Sequence, residues 1–510
     1  MMDHIMNNRL SEQVGHLFTR IPLDHRATIR NGDALETEWG ELLPAEACSY
    51  VMGNPPFVGA KYQTQLQREQ VRRIANLGKS GGTLDYVAAW FIKAGDYAQG
   101  RTRIGFVSTN SITQGEQVAQ LWPVLFERDG LEIAFAHRTF EWGSEARGKA
   151  HVHVVVIGLD RAEHAPPERR LFSYPNIKGD PEESRHKALS PYLIDASGLE
   201  DPHLVVREVS RPINGLERIV IGSKPIDGGY YIFTEQERAA FLAVEPGAAG
   251  FFHPYIGARE FLQGGMRYIL YLAEASPHEL APLKKVREAI ANVRRYRLGE
   301  IPAKGKGADK IKEMSEGTIQ LASTPMLFHV TTVPQQSFLV MPEVSSERRE
   351  YAPIGHLSPP TIPSNLVKVK VERSSGDFAL LTSSMHMAWL RHVGGRLKSD
   401  YRYSSGLVYN TFPLPKGDLS KLDPYAQAVL EARAAHPDAT LADLYDPDRM
   451  PANLRKAHRA LDAAVDKMYR RSGFESDRER VEHLFGLCEQ MVKPLLAEGP
   501  RRKRRRKSAS

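Results

Sequence analysis

Tyr50-Val51-Met52-Gly53-Asn54-Pro55-Pro56-Phe57 joins a short apolar run to a loop stiffened by two prolines. An apolar run ended by glycine reads as a strand. In an open α/β sheet, the loop leaving the carboxyl end of a strand is where ligands bind. Downstream, Leu84, Val87, Ala88, Phe91 and Ile92 have the spacing of a buried helix face, predicting a helix over 84–98. Arg103-Ile104-Gly105-Phe106-Val107-Ser108 and Val152-His153-Val154-Val155-Val156-Ile157-Gly158 read as interior strands, with a helical stretch from Glu116 to Phe126 between them. Upstream, Thr28-Ile29-Arg30 reads as another short strand, preceded by the end of a helix. Strands alternating with helices specify a layered α/β domain, here 1–165.

Pro166-Pro167 opens a polar stretch read as a linker over 166–200. From 201 to 415 short segments are broken by Gly and Pro, as in Lys224-Pro225-Ile226-Asp227-Gly228-Gly229, around a basic helical stretch from Leu283 to Arg297. That texture predicts a mixed α+β domain. After Phe412-Pro413-Leu414-Pro415 the Ala-rich periodicity predicts a helical region over 416–497, followed by a disordered basic tail over 498–510.

The 510 residues suffice for two to four domains, and 42% apolar with 25% charged residues is ordinary for a globular chain. No apolar stretch reaches the ~18–20 residues needed to cross a bilayer. Met1-Met2-Asp3-His4 has no basic segment leading into an apolar one, so a secretory signal is not expected. Two cysteines, Cys48 and Cys488, far apart and without ligand spacing, point to a reducing cytoplasm and to no structural metal. The net charge of +7 belongs to the tail: Arg501 to Lys507 holds seven basic residues, and subtracting them from 68 leaves 61 against 61 acidic ones. Such a run grips phosphates without sequence preference, or is simply a solvated end.

The loop at 54–57 carries the chemistry. An exocyclic amine on a nucleobase is a poor nucleophile because its lone pair is delocalised into the ring. The Asn54 side-chain oxygen and the carbonyl after it could accept both amine hydrogens, aim the nitrogen and stabilise developing charge. Prolines suit this because they fix φ and offer carbonyls without a competing amide. Phe57 supplies a face for a base swung out of the duplex. Alone, the stretch could equally be a turn. Asp33, 21 residues upstream, could accept a hydrogen bond from the adenine amine of S-adenosylmethionine, or belong to an Asn31-Gly32-Asp33 turn.

Gly53-Asn54-Pro55-Pro56-Phe57-Val58-Gly59 resembles the catalytic motif of amino-group DNA methyltransferases. Phe106 through Gly115 and Phe140 through Ala150 narrow the resemblance to the MmeI-like family of single-chain restriction–modification enzymes. Ser345-Ser346-Glu347-Arg348-Arg349-Glu350-Tyr351 and Gly395 through Ser404 resemble its target-recognition domain. The likeness runs from about 1 to 495. It implies an incomplete class I (Rossmann-like) methyltransferase sheet, S-adenosylmethionine as cofactor, and transfer of its methyl group to N6 of a flipped adenine in double-stranded DNA. Asn54, Pro55, Pro56 and Phe57 would form the catalytic loop, Asp33 would contact the cofactor, and Phe140 or Trp142 would close the base pocket.

The family's upstream glycine loop and ribose-binding acid do not precede Asp33, nor does a nuclease cluster. The expectation is therefore a truncated or split methyltransferase, completed by a separately encoded amino-terminal half, or a non-catalytic DNA-binding remnant. Alone it should bind S-adenosylmethionine poorly and be inactive. In the recognition region, Lys398 and Asp400 are predicted to share one face of a strand and read a G·C pair, with Arg402 beside them. The alternative is a surface ion pair. Arg348 and Arg349, with Arg294, Arg295 and Arg297, are candidates for phosphate contacts. His151 and His153 lack a third ligand, so no metal is expected, and His386 reads as packed structure.

Overall fold

The computed structural model describes residues 27–78, 83–142, 152–305, 311, 313–371, 374–397 and 399–497. Six strands form the first sheet: β1 (Tyr50–Gly53), β2 (Arg103–Thr109), β3 (Leu131–Trp142), β4 (Val152–Arg161), β5 (Arg169–Ser173) and β6 (Glu182–His186). Their order is β1-β2-β4-β3-β5-β6. β1 runs parallel to β2, with Tyr50 opposite Arg103 and Gly53 opposite Phe106. β4 is antiparallel to both β2 and β3. Thus β1, β2 and β3 point the same way, and β4 is the reversed strand between two of them.

Two helices follow the 54–57 loop. α1 (Gln65–Ala75) starts at a capping box, with Thr64 Oγ1 accepting from Gln67 N–H (3.2 Å) and Gln67 Oε1 accepting from Thr64 N–H (3.0 Å). It ends at Asn76 in the left-handed region. α2 (Ala88–Tyr97) buries Ala88, Ala89, Phe91, Ile92, Ala94 and Gly95 on the sheet. Phe91 meets Phe106 edge to face at 5.1 Å.

Two sequence expectations are corrected here. Residues 27–32 form no strand, and Ile29 is 88% exposed. A strand needs a ladder partner, and none of the described residues pairs with this segment. The stretch read as a linker supplies β5 and β6, so the sheet continues past 165: β5 is parallel to β3, and β6 is antiparallel to β5.

The α+β region is built around α3 (Lys284–Arg297) and two four-stranded sheets, centred on Phe252–Ile256 and Phe338–Pro342. Arg297 is fully buried at the end of α3. It donates to the carbonyls of Pro225, Ile226, Leu321, Thr324 and Leu327 at 2.7–3.0 Å. It therefore cannot touch a phosphate; it ties two stretches, 225–226 and 321–327, to one helix end. A small third sheet holds Val344–Ser345 with the hairpin β7 (Gly395–Leu397) and β8 (Asp400–Arg402).

α4 (Ser384–Val393) lies among the carboxy-terminal helices α5 (Asp423–Ala434), α6 (Ala452–Tyr469) and α7 (Asp477–Ala497). On α6, the Asp462 carboxylate accepts from Ser384 N–H (2.7 Å), Ser384 Oγ (2.8 Å) and Tyr351 Oη (2.8 Å). One apolar core runs from Leu35 to Cys488 through the first sheet, α4 and the helical region. A second core, from Tyr231 to Ile362, belongs to the α+β region.

Fully buried His386 and half-buried His392 on α4 are held neutral beside that core. Burial pushes the His386 imidazole down to about 3, where it meets Tyr403 Oη at 2.9 Å. Burial, with Arg138 and Arg391 nearby, pushes His392 down to about 4. Both folded values lie below the unfolded value of ~6.5, so their contribution is intact above it and falls as pH drops through it. Each should lose roughly 2 kcal/mol of stability between pH 7 and 5. Urea unfolding at the two pH values should show the loss, and His386→Gln should reduce its slope.

Candidate active site

Because β1, β2 and β3 run in one direction, their carboxyl ends lie along one rim of the sheet. From that rim leave the 54–57 loop, the Asn110–Thr113 turn, and the end of β3 bearing Thr139 and Phe140. Asn54 and Pro56 are exposed, Pro55 is buried and Phe57 is half-buried. An exposed Asn54 on a proline-stiffened loop is open to an incoming group.

The loop is fastened just beyond Phe57. Val58 O accepts from Tyr86 N–H (2.9 Å). Asp85 Oδ1 accepts from Ala60 N–H (2.8 Å), and Asp85 Oδ2 accepts from Ser111 Oγ (2.5 Å) on the turn after β2. Asp85 N–H donates to Gln117 Oε1 (2.9 Å). One carboxylate thus ties the loop after β1 to the turn after β2. Asp85 was missed in the sequence because it sits inside a stretch read as helix, whereas α2 begins at Ala88. Its partners lie 25 and 26 residues away, beyond any local spacing rule.

Asp33 sits in a turn, as one reading of Asn31-Gly32-Asp33 allowed: its backbone oxygen accepts from Glu36 and Thr37, and Oδ1 accepts from Leu35 N–H (2.9 Å). Its Oδ2 accepts from Gln70 Nε2 (2.8 Å), and Gln70 Oε1 accepts from Tyr86 Oη (2.6 Å). Tyr86 therefore holds the 54–57 loop at its backbone and Asp33 at its hydroxyl end. Burial, then the charges of Asp33 and Glu36, raise the Tyr86 phenol above its usual value, so it remains a donor. Neither Gln70 nor Tyr86 carried a sequence signal.

Phe140 is half-buried and follows a register shift in β3. It stacks on Tyr174 (4.8 Å, 22°), whose hydroxyl meets His137 Nδ1 at 2.8 Å. Burial and the nearby Arg170 lower the His137 pKa. Asn110 Nδ2 reaches Thr139 Oγ1 at 3.5 Å across the rim. Trp142 ends β3, and its side chain lies outside the described residues, as does Lys398. β7 ends at Leu397 and β8 starts at Asp400, and the reading that paired Lys398 with Asp400 falls, at Lys398, outside the described residues.

Asp400 is half-buried, its Oδ1 accepting from Glu347 N–H at 3.4 Å. Arg402 is exposed beside Glu343 (3.5 Å). Arg348 is exposed and paired with Asp448. Arg349 is half-buried, donates to Ser345 Oγ (3.1 Å) and has its pKa lowered by desolvation.

A mixed sheet with two reversed strands, a polar loop at its rim and a separate α+β body define the class: a methyltransferase domain followed by a target-recognition domain and a helical carboxy-terminal domain. Three family models match in that order: the MmeI DNA-methyltransferase domain at 1–173, the MmeI target recognition domain at 200–416 and the MmeI C-terminal domain at 416–496. The chain belongs to the MmeI-like family. DNA methyltransferase A of Bacillus subtilis (strain 168) is 37% identical over 497 residues, 96% of this chain and 54% of that protein. The type IIL restriction-modification enzyme MmeI, solved in complex with DNA, is 38% identical with a TM-score of 0.81, covering 96% of this chain and 63% of that one. The chain thus spans between half and two thirds of the length of these relatives.

Replacing Asp85 with leucine should free Ala60 N–H. Amide exchange at 58–60 should rise about ten- to hundredfold, the worth of a hydrogen bond to a charged acceptor. Asp85→Asn, which keeps an acceptor for that amide, should stay near wild type.

Proposed function

We propose that this chain is the base-binding and DNA-reading portion of a site-specific adenine-N6 DNA methyltransferase that uses S-adenosylmethionine. The observation carrying this is the exposed Asn54 on a braced loop at the sheet's rim, with the half-buried Phe57 next in the loop and Phe140 on the same rim. The Asn54 side-chain oxygen and the Pro55 carbonyl accept the two hydrogens of an extruded adenine's amine. That orients the nitrogen lone pair and favours the positive charge that develops on it. Phe57 and Phe140 give the base apolar faces, and Phe140 is kept in orientation by Tyr174 behind it.

Asp33 fits the adenine end of the cofactor: its carboxylate is exposed and oriented by Leu35 and Gln70. The cofactor supplies an electrophilic methyl on a sulfonium. We assign the rest of its site to the outer edge of β1, which no described strand pairs and where Tyr50 and Met52 are 61% and 75% exposed. Double-stranded DNA is the substrate, read by Asp400, Lys398 and Arg402, with Arg348 and Arg349 near its phosphates. The solved relative is a DNA complex.

The test is N6-methyladenine formation on duplex DNA, measured by mass spectrometry. The chain is assayed alone and with the amino-terminal part of the B. subtilis relative supplied in trans. Complementation should raise the yield, and Asn54→Ala should lower the complemented rate about 100-fold or more, the usual worth of one polar group at a charge-developing centre, with DNA binding retained. Methyl transfer to cytosine N4, or full activity in Asn54→Ala, would overturn the assignment.

A further inference from the structure

The loop after β2 touches the recognition domain at one tightly built point. Gly115 has φ +68°, and a Cβ there would lie 2.9 Å from Gly395 Cα. Backbone meets backbone, between the rim of the first sheet and the start of β7. Beside this contact Arg396 Nε donates to Gln114 Oε1 (3.3 Å), and Arg396 Nη1 donates to Ser399 O (3.0 Å) in the hairpin turn. The Arg396 guanidinium lies 3.9 Å from the centre of the Tyr401 ring, its cross-strand partner. A second contact joins the same two bodies: His153 Nδ1 on β4 is 3.9 Å from Glu347, whose N–H reaches Asp400.

We propose that Gln114, Gly115 and Arg396 brace the hairpin 395–402 at a set offset from the 54–57 loop, with Arg396 a positioning residue for the hairpin rather than a reader of bases. The inference rests on the function proposed above. Its contacts run from Ala60 to Asp85, from Asp85 to Gln117 and Ser111, from Ser111 O to the Gln114 amide, from Gln114 to Arg396 beside the Gly115–Gly395 approach, and from Arg396 to Ser399 and the Tyr401 ring. An enzyme that reads one base pair and modifies a base nearby needs that separation set before DNA arrives. Misplacement by ~1 Å is costly in both recognition and transfer. Arg396 is spent on the protein itself: one nitrogen on Gln114, one on Ser399, and its face on Tyr401. A base-reading arginine needs its fork free for guanine.

The full chain is tested in two ways: amide exchange across 395–402 and 110–117, and selection of bound duplexes from a randomised pool. Gln114→Leu and Arg396→Met should raise exchange in both segments about tenfold, the worth of one hydrogen bond. They should also flatten the selected motif at the position the hairpin reads, with discrimination there falling about tenfold. Gln114→Glu, which keeps an acceptor for Arg396, should retain both properties. The double variant should be no worse than Arg396→Met alone, because that change already removes the Gln114 bond along with the Ser399 bond and the Tyr401 contact. Unchanged exchange in Gln114→Leu and Arg396→Met overturns the brace, whatever the DNA result. Raised exchange with an intact motif overturns the positioning role. A wild-type chain that selects no motif overturns the DNA-reading function instead, and exchange alone then decides the brace.

Discussion

The site depends on strand direction. β1 pairs in parallel with β2, and β4 is reversed between β2 and β3, so three strands deliver their carboxyl ends to one rim. Had β3 been the reversed strand, Phe140 would leave the sheet at the opposite edge from Asn54. The parallel β1–β2 pair also requires a long crossover. That crossover is where α1, Tyr86 and Asp85 come from, so the connection forced by topology becomes the part that fixes the loop.

Fixing is needed because prolines alone do not place a loop. Pro55 and Pro56 limit φ and remove donors, leaving 54–57 stiff but hinged at its ends. The near end is the ladder at Gly53 opposite Phe106. The far end is held by Tyr86 on Val58 and by Asp85 on Ala60. Asp85 suits this task as an acceptor with two oxygens facing different elements. The amide of Ala60 takes one, and the hydroxyl of Ser111 the other. A leucine would leave the Ala60 amide without that acceptor and Ser111 Oγ with Thr109 Oγ1 alone, and an unmade bond at the amide costs more than the bond itself contributes.

Local patterns were legible in the sequence, and long-range closure was not. The 50–57 run, the 103–108 and 152–158 strands and the Ala-rich carboxy-terminal helices are local patterns, and the structure has elements there. β3 escaped notice because its register shifts between Ile133 and Phe135 and between His137 and Phe140, breaking the alternation that marks a strand. β5 and β6 are short and mostly polar, and they read as linker because Leu171 and Phe172 are too few to show a pattern and the edge strand β6 needs little apolar surface. Thr28-Ile29-Arg30 shows the converse error: β propensity without a ladder partner makes no strand. Arg297 misled in the same way, since a basic helix end looks solvated until the loops that wrap it are known. Asp85, Gln70 and Tyr86 matter through partners far along the chain, which composition and periodicity do not report.

Two residue choices at the domain contact make sense only together. Gly115 adopts a φ that L side chains rarely take, and even alanine there would press against Gly395. Gly115 lets two backbones meet, but it gives no side-chain interlock, so the contact would slide. Arg396 supplies the interlock. A lysine could reach Gln114 as a point donor, yet it could not lie flat on Tyr401 while also donating sideways to Ser399. Gln114 is 8% exposed, and its Nε2 is buried without a protein partner. A polar side chain kept there at that cost is explained by its other end, which accepts from Arg396. The close backbone approach sets the distance between the two bodies, and the arginine fork sets their register.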